Sequence, residues 1–342
     1  MELDDDDNTL NATSPFPQLA QPVLNDYIPH SQPPPPTAAI PTSPSYHAPR
    51  NPNTIFSFPT PAIYSASPNP TVSLKPFAQG SASELFKCIV KKPEIVQLEI
   101  NDEMQSNALD VTAQFLAELR VYTRVPPHRN IPAFLGCLDG VGMVLEFLEG
   151  GTLYDYLRQY APLSRIRLYD FHNQLLDALI HLHACGLSHG DLSLLNVQVI
   201  ERFGELTLKM IDFGRSVAAT SVLAPPDGDP VDPWEHHLNT NPTEPRKEQI
   251  FPGTRPFSAP EILRGECRDA RLADAYSFGM VLVCLERGQL VDVKPWNQRK
   301  DQHPEDLLDG CTLFEGRIRQ YLRRWDERRR LLRDDMVDMT NT

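Results

Sequence analysis

The chain has 342 residues, with 45 Asp+Glu against 32 Lys+Arg and a formal net charge of −13. That length suits one large two-lobed domain with extensions, and the acidic balance gives no broad electrostatic footprint for nucleic acid or an anionic membrane. No apolar run approaches the roughly 20 residues that span a bilayer, and six scattered cysteines without a Cys-x-x-Cys pair read as reduced thiols of a cytoplasmic or nuclear protein.

Along the chain, the acidic start Met1–Asp7 does not read as a secretory or transit signal. About half of the 33 prolines fall before residue 77, mixed with Ser, Thr, Asn and Ala. Such a composition cannot bury enough apolar surface to offset chain entropy, so residues 1–74 are expected to be a disordered tail. Pro33–Pro36 suits SH3- or WW-type domains, and Ser14, Ser43, Thr60 and Ser67 each precede proline. Order is expected from residue 75. Leu85–Val90 and Ile95–Ile100 read as strands, with Lys91–Glu94 as the turn between them. Val111, Phe115, Glu118, Leu119 and Tyr122 recur at helical spacing and predict a helix over 110–124. Gly142–Phe147 reads as a buried strand. Leu168, Phe171, Leu175, Leu179 and Leu182 trace one face of a long helix that Gly186 would cap. A polar loop with several prolines runs from Gly214 to Gly253, and loops of that length are usually functional or disordered. The arginine-rich run Arg317–Arg333 predicts a helix whose core face carries Ile318, Leu322, Trp325 and Leu332.

Four motifs then follow one another. They are His189-Gly190-Asp191-Leu192-Ser193-Leu194-Leu195-Asn196, then Asp212-Phe213-Gly214, then Gly253 to Glu261 ending in Ala259-Pro260-Glu261, then Asp274 to Gly279. An aspartate and an asparagine five residues apart on one loop can face one reaction centre, and a second aspartate can enter from the next hairpin. In this order the motifs resemble the catalytic loop, magnesium loop, activation-segment end and central helix of protein kinases. The resemblance implies an α+β, two-lobed domain over 75–335, with its small lobe over about 75–145 and its large lobe over about 149–335. It also implies ATP and magnesium (Mg2+) as cofactors and a protein hydroxyl as acceptor, on serine or threonine rather than tyrosine. Asp191 would accept or orient the acceptor proton. Asn196 and Asp212 would hold magnesium, because hard cations prefer oxygen ligands. Leu145 would stand behind the adenine, Glu146 and Leu148 would offer it backbone groups, Leu85 would cover it from above, and Gly80 belongs to the phosphate-covering loop. Asp274 would anchor the catalytic loop, and Glu261 would pair with an arginine among Arg328 to Arg330.

Four departures bear on activity. Gly190 replaces the arginine that normally receives an activation-segment phosphate, so this chain should not need that switch. Ser193 replaces the lysine or alanine found two residues after the aspartate, and that lysine helps neutralise the transferring phosphoryl group. Gly80–Leu85 keeps one glycine of three. Counted from Leu85, the Val-Ala-x-Lys pattern of strand three falls on Val96-Gln97-Leu98-Glu99, which sets Glu99 against the helix glutamate Glu118 as a like-charge pair. Lys87, Lys91 or Lys92 remain to supply the missing charge, and Gln97 and Gln198 fall on the two faces of the adenine slot. The reading therefore keeps two functions open: a protein kinase, or a pseudokinase that binds partners without turnover.

Overall fold

A computed structural model describes residues 71, 74–100, 103–202, 204–233 and 245–339. The expected tail lies almost wholly outside them, as does the centre of the 214–253 loop. The small lobe begins with a hairpin, β1 (Ala78–Gln79) and β2 (Glu84–Leu85), closed by a hydrogen bond from Gly80 N to Ser83 O of 2.7 Å. The strand β3 (Cys88–Lys91) pairs antiparallel with β7 (Gly142–Glu146), which pairs with β6 (Phe134–Leu138) on its other side. A separate hairpin joins β4 (Gln97–Ile100) to β5 (Glu103–Ser106). The helix α1 (Ala108–Arg124) follows. The two expected strands therefore exist, shortened, but they do not pair with each other. Lys91 ends a strand rather than opening a turn.

The large lobe opens with β8 (Gly150–Thr152) and α2 (Leu153–Tyr160), whose first turn is held by a reciprocal cap between Thr152 and Asp155. The helix α3 (Arg165–Ala184) starts on the Ser164 hydroxyl and buries Leu168, Phe171, Leu175, Leu179 and Leu182, the face its spacing predicts. Strands β9 (Val197–Arg202) and β10 (Glu205–Met210) form a hairpin with β8 along β9. Strands β11 (Val222–Ala224) and β12 (Lys247–Gln249) pair in parallel on either side of the loop. Then come α4 (Pro260–Leu263), α5 (Ala270–Arg287), α6 (Pro295–Arg299) and α7 (Glu315–Tyr321). In α5 every residue from Ala273 to Leu285 is buried, so this helix is covered on all sides and forms the centre of the lobe. Gly279 leaves room for α7, because a Cβ there would come within 3.0 Å of the Tyr321 Cβ.

The arginine-rich run is not one helix. It ends at Tyr321, and the chain then turns so that Arg328 reaches the buried Glu261 at 2.6 Å, while Arg330 meets Asp269 at 2.5 Å. A continued helix would point these guanidiniums around an axis rather than into two separate carboxylates. Tertiary ion pairing overrides local propensity here. Ile318 is buried as expected, but Leu332 is exposed. Among the described residues, no helix is long and apolar enough to cross a membrane.

Candidate active site

The catalytic-loop residues sit between α3 and β9, pinned from below by α5. Asp274 accepts hydrogen bonds from His189 N (2.7 Å) and Gly190 N (2.9 Å), and it contacts His183 Nε2 at 2.8 Å. Burial would raise this carboxyl, but the His183 contact and the backbone donors hold it below the usual carboxylate range. His189 is fully buried, and burial pushes its imidazole down, which keeps it neutral and structural rather than a general base. Gly190 has φ +82°, and a Cβ there would lie 2.0 Å from the Arg215 carbonyl oxygen. The position that carries arginine in the resembled family thus admits no side chain here, because the Arg215 backbone occupies that space. Asp191 Oδ1 accepts from Thr254 N at 2.5 Å, which joins the loop to the segment after Gly253. Asn196 donates from Nδ2 to Asp191 O at 2.8 Å, leaving its amide oxygen as the atom a cation would meet. Ser193 is fully buried, and its hydroxyl accepts from Asn196 N at 3.3 Å, so it shapes the loop.

Across the cleft, Lys91 Nζ lies 2.5 Å from Glu118 Oε2 of α1 and 3.0 Å from Asp212 Oδ1. This corrects the sequence register. Glu99 sits exposed on β4, paired with Met104 of β5, and the group that meets Glu118 is Lys91. The reason is strand pairing. Ile89 stands opposite Leu145 and Lys91 opposite Met143, so Ile89 and Lys91 share one face of β3 with the buried residues of β7. That alternation, a lysine two residues beyond an apolar residue on the strand beside Leu145, is the signal that could have identified it. Gln97 falls on the same outlying hairpin as Glu99, away from β7.

The charges fit this geometry. Burial alone would lower the Lys91 ammonium, but Glu118 and Asp212 raise it above its ordinary value. Burial would raise Asp212, and Lys91 outweighs it and holds the carboxyl low. For Glu118 burial dominates and pushes the carboxyl up, against the pull of Lys91. Two carboxylates share one ammonium, and Asp212 holds the left-handed conformation, φ 63°, that turns it into the cleft. Among the described residues no group of three or more His, Cys, Asp or Glu side chains gathers into a metal cage. A magnesium ion shared with nucleotide phosphates needs none, since it takes one or two protein oxygens plus phosphates and water. The all-oxygen pair Asp212 and Asn196 fits that requirement.

Of the residues expected around the base, Leu145 and Leu148 are buried. Gln198 stands opposite Thr152 on β8, and its Oε1 is buried without a hydrogen-bond partner. An orphaned buried acceptor at this point suits a slot completed by a ligand. Gly80 and Leu85 belong to the exposed β1–β2 hairpin, and Leu85 is 57% exposed. The Glu146 amide donates to Ala133 O, and its buried carboxylate holds Lys209 Nζ at 2.9 Å together with Arg202. Burial would raise that carboxyl, but Lys209 leads the groups that hold it low. The Glu146 side chain thus ties the strand leaving the small lobe to β9 and β10, a structural pairing that the sequence reading did not anticipate.

Phe213 links the lobes. Its ring meets His189 at 5.0 Å and Tyr122 of α1 edge-on at 5.5 Å, and Tyr122 stacks on Phe134 of β6 at 5.8 Å. Such ring pairs add about 0.5–1.5 kcal/mol each beyond area burial. The column Phe134–Tyr122–Phe213–His189 ends on Asp274, so α1, the magnesium-loop turn and the catalytic loop are packed as one unit.

Residues 73–331 match the family described as Protein kinase domain. The chain is similar to human testis-specific serine/threonine-protein kinase 3, with 27% identity over 216 residues, 62% of this chain and 71% of that protein. It is also similar to the probable serine/threonine protein kinase IREH1 of Arabidopsis thaliana, with 30% identity over 254 residues, 69% of this chain but 18% of that protein. Against the maternal embryonic leucine zipper kinase of Xenopus laevis the identity is 30% over 186 residues, 52% of this chain and 25% of that protein. The family match covers well over half of the 342 residues, and the chain belongs to the protein kinase domain family.

Proposed function

We propose that this chain is an ATP- and magnesium-dependent protein kinase that transfers the γ-phosphoryl group to a serine or threonine hydroxyl of a protein. The observation that carries this reading is Lys91, held between Glu118 and Asp212 at 2.5 and 3.0 Å. It is the cation–carboxylate arrangement that phosphoryl transfer needs for alignment and charge neutralisation. In the reaction the acceptor oxygen bonds to the γ-phosphorus as the bond to the ADP oxygen breaks, and the hydroxyl proton passes to Asp191. Magnesium, when bound, supplies charge neutralisation at the phosphates. Asp212 and Asn196 would hold it, Lys91 would orient the nucleotide, and Leu145, Leu148 and Gln198 would enclose the base, with backbone groups of Glu146 and Leu148 toward its edge. Gly80 and Leu85 would form the roof. We place the protein in the cytoplasm or nucleus, where its six free thiols stay reduced. The proline-rich segment before residue 75 would recruit SH3- or WW-type partners.

A second reading, a pseudokinase, draws on the buried Ser193 and on the absence of any lysine or arginine from His189 to Asn196, which leaves the catalytic loop without a cation. One experiment separates the two. Thermal-shift titration with ATP should show stabilisation that requires magnesium, and a phosphotransfer assay should show turnover. Asp212→Asn should lower that turnover by at least about a hundredfold, the scale set by removing one transition-state charge stabiliser, with unchanged circular dichroism. Magnesium-independent binding and no turnover would favour the pseudokinase.

A further inference from the structure

Glu118 and Arg120 lie two residues apart on α1. At 100° per residue their side chains leave the helix on nearly opposite faces. One face carries Glu118 to Lys91. The other carries Arg120 into the segment that follows Asp212-Phe213-Gly214. There Arg120 donates from Nη2 to Ser216 O at 2.7 Å and forks onto Glu248 of β12, with Nη2 to Oε2 at 3.1 Å and Nη1 to Oε1. Glu248 Oε1 also lies 3.1 Å from Arg246 Nε, and its Oε2 accepts from Ala218 N at 3.1 Å. The side chains of Arg120 and Glu248 are only 8% and 9% exposed. One buried carboxylate therefore gathers two guanidiniums and a backbone amide, and it binds both ends of the segment, Ser216–Ala218 and β12, to α1.

We propose that Glu248 is a positioning residue for the phosphoryl transfer assigned above. Its carboxylate clamps the outer face of α1 so that Glu118 stays on Lys91. A helix held on opposite faces cannot rotate or lift from one contact without breaking the other. Because the clamping anion is encoded in the chain, the active arrangement needs no added phosphate on this segment. The inference rests on the kinase reading for its effect on catalysis, while its effect on α1 is independent of turnover.

The test uses the full chain and the variant Glu248→Gln, which keeps the shape and removes the charge. Hydrogen exchange without nucleotide should accelerate across residues 108–124 and stay unchanged in α5. The KM for ATP should rise and kcat should fall, together by about 5- to 150-fold, the usual range for coupled sites. Glu248→Asp should recover most of both effects. Wild-type protein treated with a phosphatase should keep its activity and its α1 protection. Unchanged exchange in α1 of Glu248→Gln, or loss of α1 protection in the phosphatase-treated wild type, would overturn the proposal. If Glu248→Gln loses protection in α5 as well, Arg120→Lys decides, since it keeps the charge but not the fork. It must loosen α1 alone, and an unaltered α1 refutes the clamp. A wild type that neither binds ATP nor turns it over would sink the kinase reading, and the exchange arm would still decide the clamp.

Discussion

From Ala273 to Leu285 every side chain of α5 is buried, whereas Gln97, Leu98 and Glu99 of β4 are all exposed. The large lobe packs its helices around α5. The small lobe is a three-stranded sheet beside two separate hairpins, with Phe77, Ile95, Leu98 and Met104 all more than half exposed. The difference separates two tasks. Stability resides in the large lobe, where burial and paired charges accumulate. The small lobe buries β7 and one face of α1 but leaves its hairpins exposed, and from it the half-buried Lys91 reaches Glu118 and Asp212.

If this division holds, breaking a buried ion pair in the large lobe should have the largest effect on folding. Arg328→Ala leaves Glu261 buried without a partner and should cost about 3–5 kcal/mol, the range for uncompensated buried charges, read from chemical denaturation. A loss near zero would mean that the large lobe does not depend on its core pairing. A slightly smaller effect concerns acid. His172 on α3 stacks on Phe314 at 4.7 Å, and burial pushes its imidazole down to about 4. Its folded value is depressed, so the unfolded chain takes up the proton first. Stability should then be level above pH 6.5 and fall between pH 6.5 and 4, by on the order of 3 kcal/mol for this group alone. Replacing it, as in His172→Phe, should flatten that slope. An identical slope in the variant would locate the acid sensitivity elsewhere, with His128, His189 and His303 as the other depressed imidazoles among the described residues.

The small lobe should show the converse pattern. Lys91→Ala removes a charge-assisted contact of about 1.5–3 kcal/mol, so ATP affinity should drop about 10- to 100-fold, while the melting temperature should fall by less than in Arg328→Ala, because Lys91 and Asp212 are part-exposed and only Glu118 is left buried. A large thermal shift would blur the division between the lobes. Least of all should change with Glu99→Lys. On an exposed hairpin such a substitution stays within about 0.5 kcal/mol, and ATP affinity should match the wild type. Tighter binding in Glu99→Lys would return Glu99 to the phosphate site and displace Lys91 from it.

The loops were legible because their chemistry is contiguous. His189 to Asn196 and Asp212 to Gly214 each carry their functional groups within a few residues, so a linear reading finds the catalytic loop, the magnesium-loop turn and the Asp274 anchor together. The long helices were legible for the same kind of reason, since α1 and α3 repeat their apolar residues at helical spacing over many turns. The lysine partner of Glu118 was not. Strand identity there depends on pairing with β7, from Lys91 with Met143 to Cys88 with Glu146, and a slip of register moves a side chain to the other face. The choice of Arg328 for Glu261, out of a run of similar arginines, was equally hidden, as were the Arg120–Glu248 fork and the Glu146–Lys209 pair. Each joins residues remote in sequence, and ion pairs carry no local periodicity. What the chain order alone determined is the family of folds and the loops that carry the kinase motifs. Which cation meets Glu118 and Asp212, and what packs against the other face of α1, were decided only when the strands and the segment packed, because burial then selected which charges could find partners.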